Sequence, residues 1–157
     1  MICRTRSFRG IIATAFLLSF SIPAFAGDIS PQANQEYLDA NAKKPGVVVR
    51  PSGLQYRVVK SGSGKTPGPN DTVTVAYKGS LVDGYVFDQT KPGQTHDLPL
   101  AKLIAGWQEA LALMKEGDEW ELAIPSALGY GAQGGGPVPS NQTLIFDMQL
   151  IAVKTRP

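Results

Sequence analysis

The fold is decided by residues 100–117, which read Leu-Ala-Lys-Leu-Ile-Ala-Gly-Trp-Gln-Glu-Ala-Leu-Ala-Leu-Met-Lys-Glu-Gly. Lys115 and the Gly117 that follows are typical of a helix end, because basic residues favour the last turn and glycine accepts the left-handed backbone beyond it. The stretch therefore predicts one short amphipathic helix. Its apolar face would consist of five residues at helical spacing: Leu103, Ile104, Trp107, Leu111 and Met114.

The segments around this helix change from a helical period to a period of two. Residues 72–82 alternate between apolar and polar or small side chains, and Asp83-Gly84 after them predicts a hairpin turn. Because several such strands surround a single helix, we expect an α+β fold. It would be a curved antiparallel sheet of about five strands wrapped around one short central α-helix. The other extended segments are predicted at 54–60, 85–88, 120–124 and 144–153.

The N-terminus has the parts of a secretory signal peptide. An uncharged apolar run at 11–26 ends on Ala-Phe-Ala, and Pro23 interrupts it. A membrane span needs about 20 apolar residues, so the run is too short to be an anchor. We therefore expect cleavage after Ala26 and a periplasmic or secreted protein. The basic start of the segment is formed by Arg4, Arg6 and Arg9.

Cleavage at that point divides the chain into three parts. Residues 1–26 are the signal peptide, 27–50 a short N-terminal helix and linker, and 51–157 the main folded domain. Ser30-Pro31 predicts the start of the N-terminal helix, since serine caps a helix and proline favours its first turn. The 131 residues that remain of 157 are enough to bury a core without disulfides.

Composition excludes several classes of site. Cys3 is the only cysteine and lies in the signal peptide, so the mature protein has no disulfide, thiolate metal site or cysteine nucleophile. Fifteen Lys and Arg less the three signal arginines gives twelve, against 13 acidic residues, and a net charge of −1 offers no basis for nucleic-acid binding. His96 is the only histidine, and metal sites or catalytic triads need partners that are absent. We therefore predict no metal and no cofactor.

Aromatic residues and one carboxylate are the candidate site. Asp88 directly follows Phe87 at the end of the predicted hairpin. A carboxylate among aromatic rings costs free energy unless it is hydrogen-bonded. Aromatic residues on sheet faces are most often core, and an aspartate there can be a turn cap, so residue types alone leave both interpretations open. The aromatic residues come from five segments: Tyr77, Phe87, Trp107, Tyr130 and Phe146.

The order of four motifs resembles a known family. Residues 75–88, Val-Ala-Tyr-Lys-Gly-Ser-Leu-Val-Asp-Gly-Tyr-Val-Phe-Asp, resemble the first signature of FKBP-type peptidyl-prolyl isomerases. Residues 103–111 (Leu-Ile-Ala-Gly-Trp-Gln-Glu-Ala-Leu), 125–131 (Pro-Ser-Ala-Leu-Gly-Tyr-Gly) and 143–147 (Thr-Leu-Ile-Phe-Asp) are similar to the other three. The segment before these motifs, residues 41–56, resembles the exported bacterial branch, the Mip-like (macrophage infectivity potentiator) isomerases. Four motifs in order make a chance match very rare.

The resemblance implies a peptidyl-prolyl cis-trans isomerase and a role for each residue. Asp88 would polarise the edge of the pocket, Trp107 would form the floor under the prolyl ring, and the Ile104 N–H and Tyr130 O–H would donate to substrate carbonyls. Val138 would lie in an overhanging loop. The remaining substrate-binding walls would be Tyr77, Phe87, Leu103 and Phe146.

The resemblance also implies ligands and partners. Substrates would be proline-containing unfolded or loop segments of exported proteins, and macrolides such as tacrolimus and rapamycin would be ligands of the same pocket. Leu128 and His96 stand where the family often has aromatic residues, so we expect macrolide binding to be affected more than catalysis. We expect a monomer. The alternative function is a non-catalytic chaperone or peptide-binding module that uses the same apolar pocket.

Overall fold

A computed structural model describes residues 27–155, in which seven strands form one curved antiparallel sheet. The strands are β1 (Val47–Val49), β2 (Gln55–Lys60), β3 (Thr72–Ser80), β4 (Val86–Gln89), β5 (His96–Pro99), β6 (Glu119–Ile124) and β7 (Leu144–Lys154). Their order across the sheet is β1-β2-β6-β7-β3-β4, and β5 pairs with the first half of β3. Register shifts in the β2–β6, β3–β4 and β3–β7 pairs favour the curvature.

The predicted α+β class and curved antiparallel sheet are confirmed, and the predicted number of about five strands is too low. The two strands that sequence reasoning missed are β1 and β5. Strand β1 consists of three valines in a row, which have no alternation, and His96-Asp-Leu-Pro99 of β5 is polar at its start. Both are short edge segments that pair with a longer neighbour.

The central helix, α2 (Ala105–Leu111), is shorter than predicted. A 3-10 turn at Leu100–Lys102 precedes it, and Leu103 and Ile104 between the two are extended, with ψ angles of 164° and 151°. The prediction of helix for these two residues is therefore wrong, because their apolar spacing fits a helix whether or not the backbone is helical. Gly117 has the expected positive φ of 92°, but in a turn beyond the helix.

Helix α2 approaches the sheet closely at Gly106. A Cβ atom added there would lie 2.5 Å from Cγ2 of Ile124 on β6, so only glycine permits this distance. The neighbouring Trp107 and Leu111 are then buried against the concave face of the sheet. The helix is thus the centre of the core, and its first turn lies beside the candidate site.

The N-terminal helix, α1 (Pro31–Asn41), packs against the sheet, and Ser30 caps it as predicted, accepting a hydrogen bond from the Ala33 N–H. Buried Asn34 donates to the Gln142 side chain, and its Oδ1 accepts from the Thr143 N–H at 2.6 Å. The predicted signal peptide, residues 1–26, lies outside the described residues. Within 27–155, no helix combines the length and apolar character that a membrane crossing requires.

We expect Asn34→Ala to lower the free energy of unfolding by about 2 kcal/mol, because it leaves the buried Thr143 N–H without an acceptor. Urea denaturation measures this. Gln35→Ala is the matched control, since Gln35 lies on the exposed face of α1 and bonds only Asp39. Equal stability of the two variants would contradict the role of Asn34 in holding α1 to the sheet.

Candidate active site

A cavity of about 220 Å³ opens between α2, β3 and β4. Its walls come from the sheet, from the extended residues before α2 and from the loop after β6, so no single element forms it. A small apolar concavity with few polar groups is the usual form of a ligand site. It is lined by Tyr77, Phe87, Asp88, Leu98, Lys102, Leu103, Ile104, Trp107, Tyr130 and Phe146.

Edge-to-face aromatic contacts fix the shape of the cavity. The Trp107 ring meets the Tyr77 ring at 4.9 Å and 83°, and the Phe146 ring at 5.1 Å and 80°. Phe87 meets Phe146 at 5.6 Å and 88°. This approach needs Gly79, because a Cβ there would lie 2.6 Å from Phe146 and 2.7 Å from Phe87. Such pairs contribute about 0.5–1.5 kcal/mol beyond burial, which favours one rigid arrangement.

Trp107 forms a nearly dry floor. Its side chain is 5% exposed, and within residues 27–155 its indole Nε1 has no hydrogen-bond acceptor. A buried donor without a partner costs about 1–3 kcal/mol, so native proteins contain few of them. In the described part of the chain, Trp120, outside this lining, also has an unpaired indole N–H, so it is the place of Trp107 in the cavity, and not the unpaired donor alone, that points to a binding site.

Asp88 is held by a hydrogen bond from the Tyr77 hydroxyl, with an O···O distance of 2.6 Å. Burial of the phenol raises the pKa of Tyr77 well above its ordinary value of 10.0, and the bond to Asp88 and its charge raise it further. Tyr77 is therefore a neutral donor at physiological pH, and Asp88 has a fixed orientation at the cavity edge.

Thr90 fixes the strand that carries Asp88. Its backbone N–H donates to the Tyr77 carbonyl at 2.9 Å, and the Tyr77 N–H donates to Thr90 Oγ1 at 3.1 Å. Sequence reasoning missed this residue, since a threonine in a loop has no pattern that identifies a pairing partner. The two contacts hold the Tyr77 backbone on β3 against the residue that follows β4, the strand that carries Asp88.

Two polar groups in the lining have no acceptor within the described chain, the Ile104 N–H and the Tyr130 hydroxyl. Ile104 has this free N–H because it is extended and precedes the first turn of α2. Tyr130 is 42% exposed, and its ring packs over Gly135, where an added Cβ would lie 2.7 Å from Cδ1. Both groups can donate to a ligand carbonyl.

Every site residue predicted from the sequence lines the cavity except Val138. Val138 is 4% exposed, belongs to the core and exchanges two backbone hydrogen bonds with Gly135. Leu98 and Lys102 line the cavity although sequence reasoning did not select them. Leu98 lies in the short edge strand β5, which was not predicted from the sequence, and an exposed lysine carries no pattern. The role of each residue in catalysis stays a prediction.

The residues that depart from the family pattern lie outside the lining. His96 opens β5, and its ring meets the edge of Tyr77 with ring centroids 6.0 Å apart. Leu128 packs against the core from the 3-10 turn at Ser126–Leu128. Neither the exposed imidazole of His96 nor the half-buried side chain of Leu128 is part of the cavity wall.

Comparison with known proteins identifies relatives of both parts of the chain. Residues 63–151 match the family described as FKBP-type peptidyl-prolyl cis-trans isomerase, and 27–58 match the domain amino terminal to it. The chain is 51% identical over 120 residues to the outer membrane protein MIP of Legionella longbeachae, covering 75% of this chain and 52% of that protein. It is 46% identical over 127 residues to the peptidyl-prolyl cis-trans isomerase Mip of Coxiella burnetii, covering 80% and 55%. The chain thus spans about half the length of these relatives.

Solved structures agree with the sequence matches. The crystal structure of FkpA from Escherichia coli superposes with a TM-score of 0.78 at 41% identity, covering 80% of this chain and 60% of that chain. A peptidyl-prolyl cis-trans isomerase from Pseudomonas syringae pv. tomato superposes with a TM-score of 0.74 at 36% identity, covering 79% and 92%.

We expect Tyr77 to titrate well above pH 10.0, and Asp88→Asn to lower its pKa without restoring the ordinary value, because burial is the larger cause. Carbon-13 NMR of the tyrosine Cζ atoms measures this. The folded protein favours the neutral form of Tyr77. Its contribution to stability is therefore fully present below pH 10, and falls as the pH rises from 10 toward the folded pKa, because Tyr77 then ionises in the unfolded chain first. The control is Tyr37, whose pKa is raised by burial, Glu121 and Asp147 and should not respond. An unchanged Tyr77 pKa in Asp88→Asn would contradict the effect of the Asp88 carboxylate charge on Tyr77.

Proposed function

The chain belongs to the FKBP-type peptidyl-prolyl cis-trans isomerase family, and on that premise we propose that it accelerates rotation about Xaa-Pro peptide bonds in exported proteins. One observation carries the proposal. The aromatic cavity on Trp107 brings together a tyrosine-bound carboxylate, Asp88, and a backbone donor without an internal acceptor, Ile104. An ordinary core has no need of these two polar groups at an open concavity.

The reaction suits such a cavity. Rotation of the amide has a barrier of about 18–20 kcal/mol, while cis and trans Xaa-Pro differ by only about 0.5–1 kcal/mol. The catalyst therefore needs no covalent step, and it must bind the twisted amide better than either planar form. A nearly dry aromatic site does this, because the twisted amide has a less polar carbonyl and loses less on leaving water. An acceleration of about ten-thousandfold needs about 5.5 kcal/mol of such preference.

Each residue then has a defined contribution. Trp107 supports the prolyl ring, and the rings of Tyr77, Phe87 and Phe146 exclude water from its sides. The Ile104 N–H and the Tyr130 hydroxyl donate to the carbonyls that flank the proline, which holds the chain on either side while the bond turns. Asp88 supplies a fixed negative charge at the cavity edge.

The proposed function also includes the cellular location of the protein, its substrates and its small-molecule ligands. We propose export by the signal peptide at 1–26, which is consistent with a relative named as an outer membrane protein. Substrates are unfolded or loop segments in which slow proline isomerisation limits folding. Rapamycin and tacrolimus compete for the cavity. The monomeric state stays a prediction, and analytical ultracentrifugation tests it.

We expect the purified protein to accelerate cis-to-trans relaxation of a short Leu-Pro peptide, and rapamycin to inhibit it. Asp88→Ala should lower kcat/KM about tenfold, because the fixed charge at the cavity edge is lost. Exchange NMR of the proline signals measures both rates.

Asp39→Ala is the matched control. Asp39 is an exposed carboxylate on α1 that does not line the cavity, and its side chain accepts a hydrogen bond from Gln35. Its rate should equal that of the unaltered protein. A folded protein that binds the peptide without accelerating relaxation would overturn the enzymatic proposal and leave the peptide-binding module.

A further inference from the structure

Lys102 is the one cation in the lining of the aromatic cavity within residues 27–155. It closes the 3-10 turn Leu100–Lys102, directly before the extended Leu103 and Ile104. This turn is anchored, because Leu100 is buried and its N–H donates to the Asp71 carbonyl at 2.9 Å. The backbone of Lys102 is therefore fixed at the rim, while its side chain is exposed and can reach over the cavity mouth.

The charge of Lys102 is not neutralised by the described chain. No carboxylate within 27–155 lies within salt-bridge distance of it, whereas Lys60 pairs with Glu119 and Lys154 pairs with Asp97. Among the described residues, Asp88 is the only other charged residue of the lining, and the Tyr77 hydroxyl donates to its Oδ2. Asp88 keeps its negative charge, but it lies on β4, whereas Lys102 lies directly before the extended residues that lead into α2. A segment that passes the Lys102 side of the cavity mouth therefore meets a positive charge that is unpaired within the described chain.

The position of Lys102 brings this charge to the residues beside a bound proline. Lys102 stands two residues before Ile104, whose free N–H is the proposed anchor for a substrate carbonyl. The ammonium lies on a flexible four-carbon stem, so it can follow side chains on neighbouring substrate residues. An acidic side chain there gains a favourable charge interaction, and a basic side chain is repelled.

We propose that Lys102 is a specificity-determining residue that selects proline segments carrying Asp or Glu within two residues of the proline. The inference rests on the proposed isomerase function and adds a substrate class to it. Lys102 acts on binding of the segment and not on rotation of the amide, because it lies at the rim. Its effect therefore falls on KM rather than kcat.

The test uses peptides of one sequence around Leu-Pro, with Glu, Gln or Lys placed either two residues before the proline or directly after it. At low ionic strength, the protein should have a kcat/KM about threefold higher for Glu than for Gln in at least one position, and lower for Lys. The preference should disappear in 1 M sodium chloride, where the Debye length is about 3 Å. Lys102→Glu should reverse the order of the Glu and Lys peptides relative to the Gln peptide.

Lys43→Glu is the matched control, because it makes the same charge change at an exposed residue after α1 that lines no part of the cavity. It should keep the preference for Glu. Equal rates on the Glu, Gln and Lys peptides, or the same change in both variants, would overturn the role of Lys102 and leave the isomerase proposal intact. No catalysis of the Gln peptide by the unaltered protein would overturn the isomerase proposal itself.

Discussion

The close packing of α2 on the sheet is the constraint on which the rest of the molecule depends. Gly106 brings the helix backbone to the Ile124 side chain, at a distance that no larger residue permits. This sets the depth at which Trp107 lies, and the rings of Tyr77 and Phe146 then meet it edge to face. The floor of the cavity is therefore a consequence of core packing, and a change in the helix position would change the site as well.

The polar part of the site is built on strands rather than on free loops. Strand pairing sets Gly79 opposite Asp88, which allows the neighbouring Tyr77 to reach the carboxylate. Thr90, which lies directly after β4 and two residues after Asp88, bonds the backbone of Tyr77. A functional group on a paired strand keeps its position better than one on a mobile loop, and differential binding of a twisted amide needs that precision.

The sequence predicted the elements and site residues that produce a recognisable pattern of residue types along the chain. Alternation identified the long strands, and motif order brought together residues that are far apart in the chain. The pattern failed at Leu103 and Ile104, since a strong helical spacing does not reveal that the backbone must stay extended to leave an N–H free. It also missed Lys102 and Thr90, because their importance arises from neighbours that only the folded chain supplies.

The central claim is that the cavity on Trp107 is where proline binds, and the two tryptophans of the chain allow a direct measurement. Both indole N–H groups, on Trp107 and Trp120, are buried without an acceptor in the described residues, and only Trp107 lines this cavity. A proton–nitrogen NMR titration with a Leu-Pro peptide, assigned with Trp120→Phe, should shift the Trp107 indole signal and leave that of Trp120 in place. The same peptide with alanine for proline should shift neither. A shift of the Trp120 signal alone, or no shift under saturating peptide, would contradict the account.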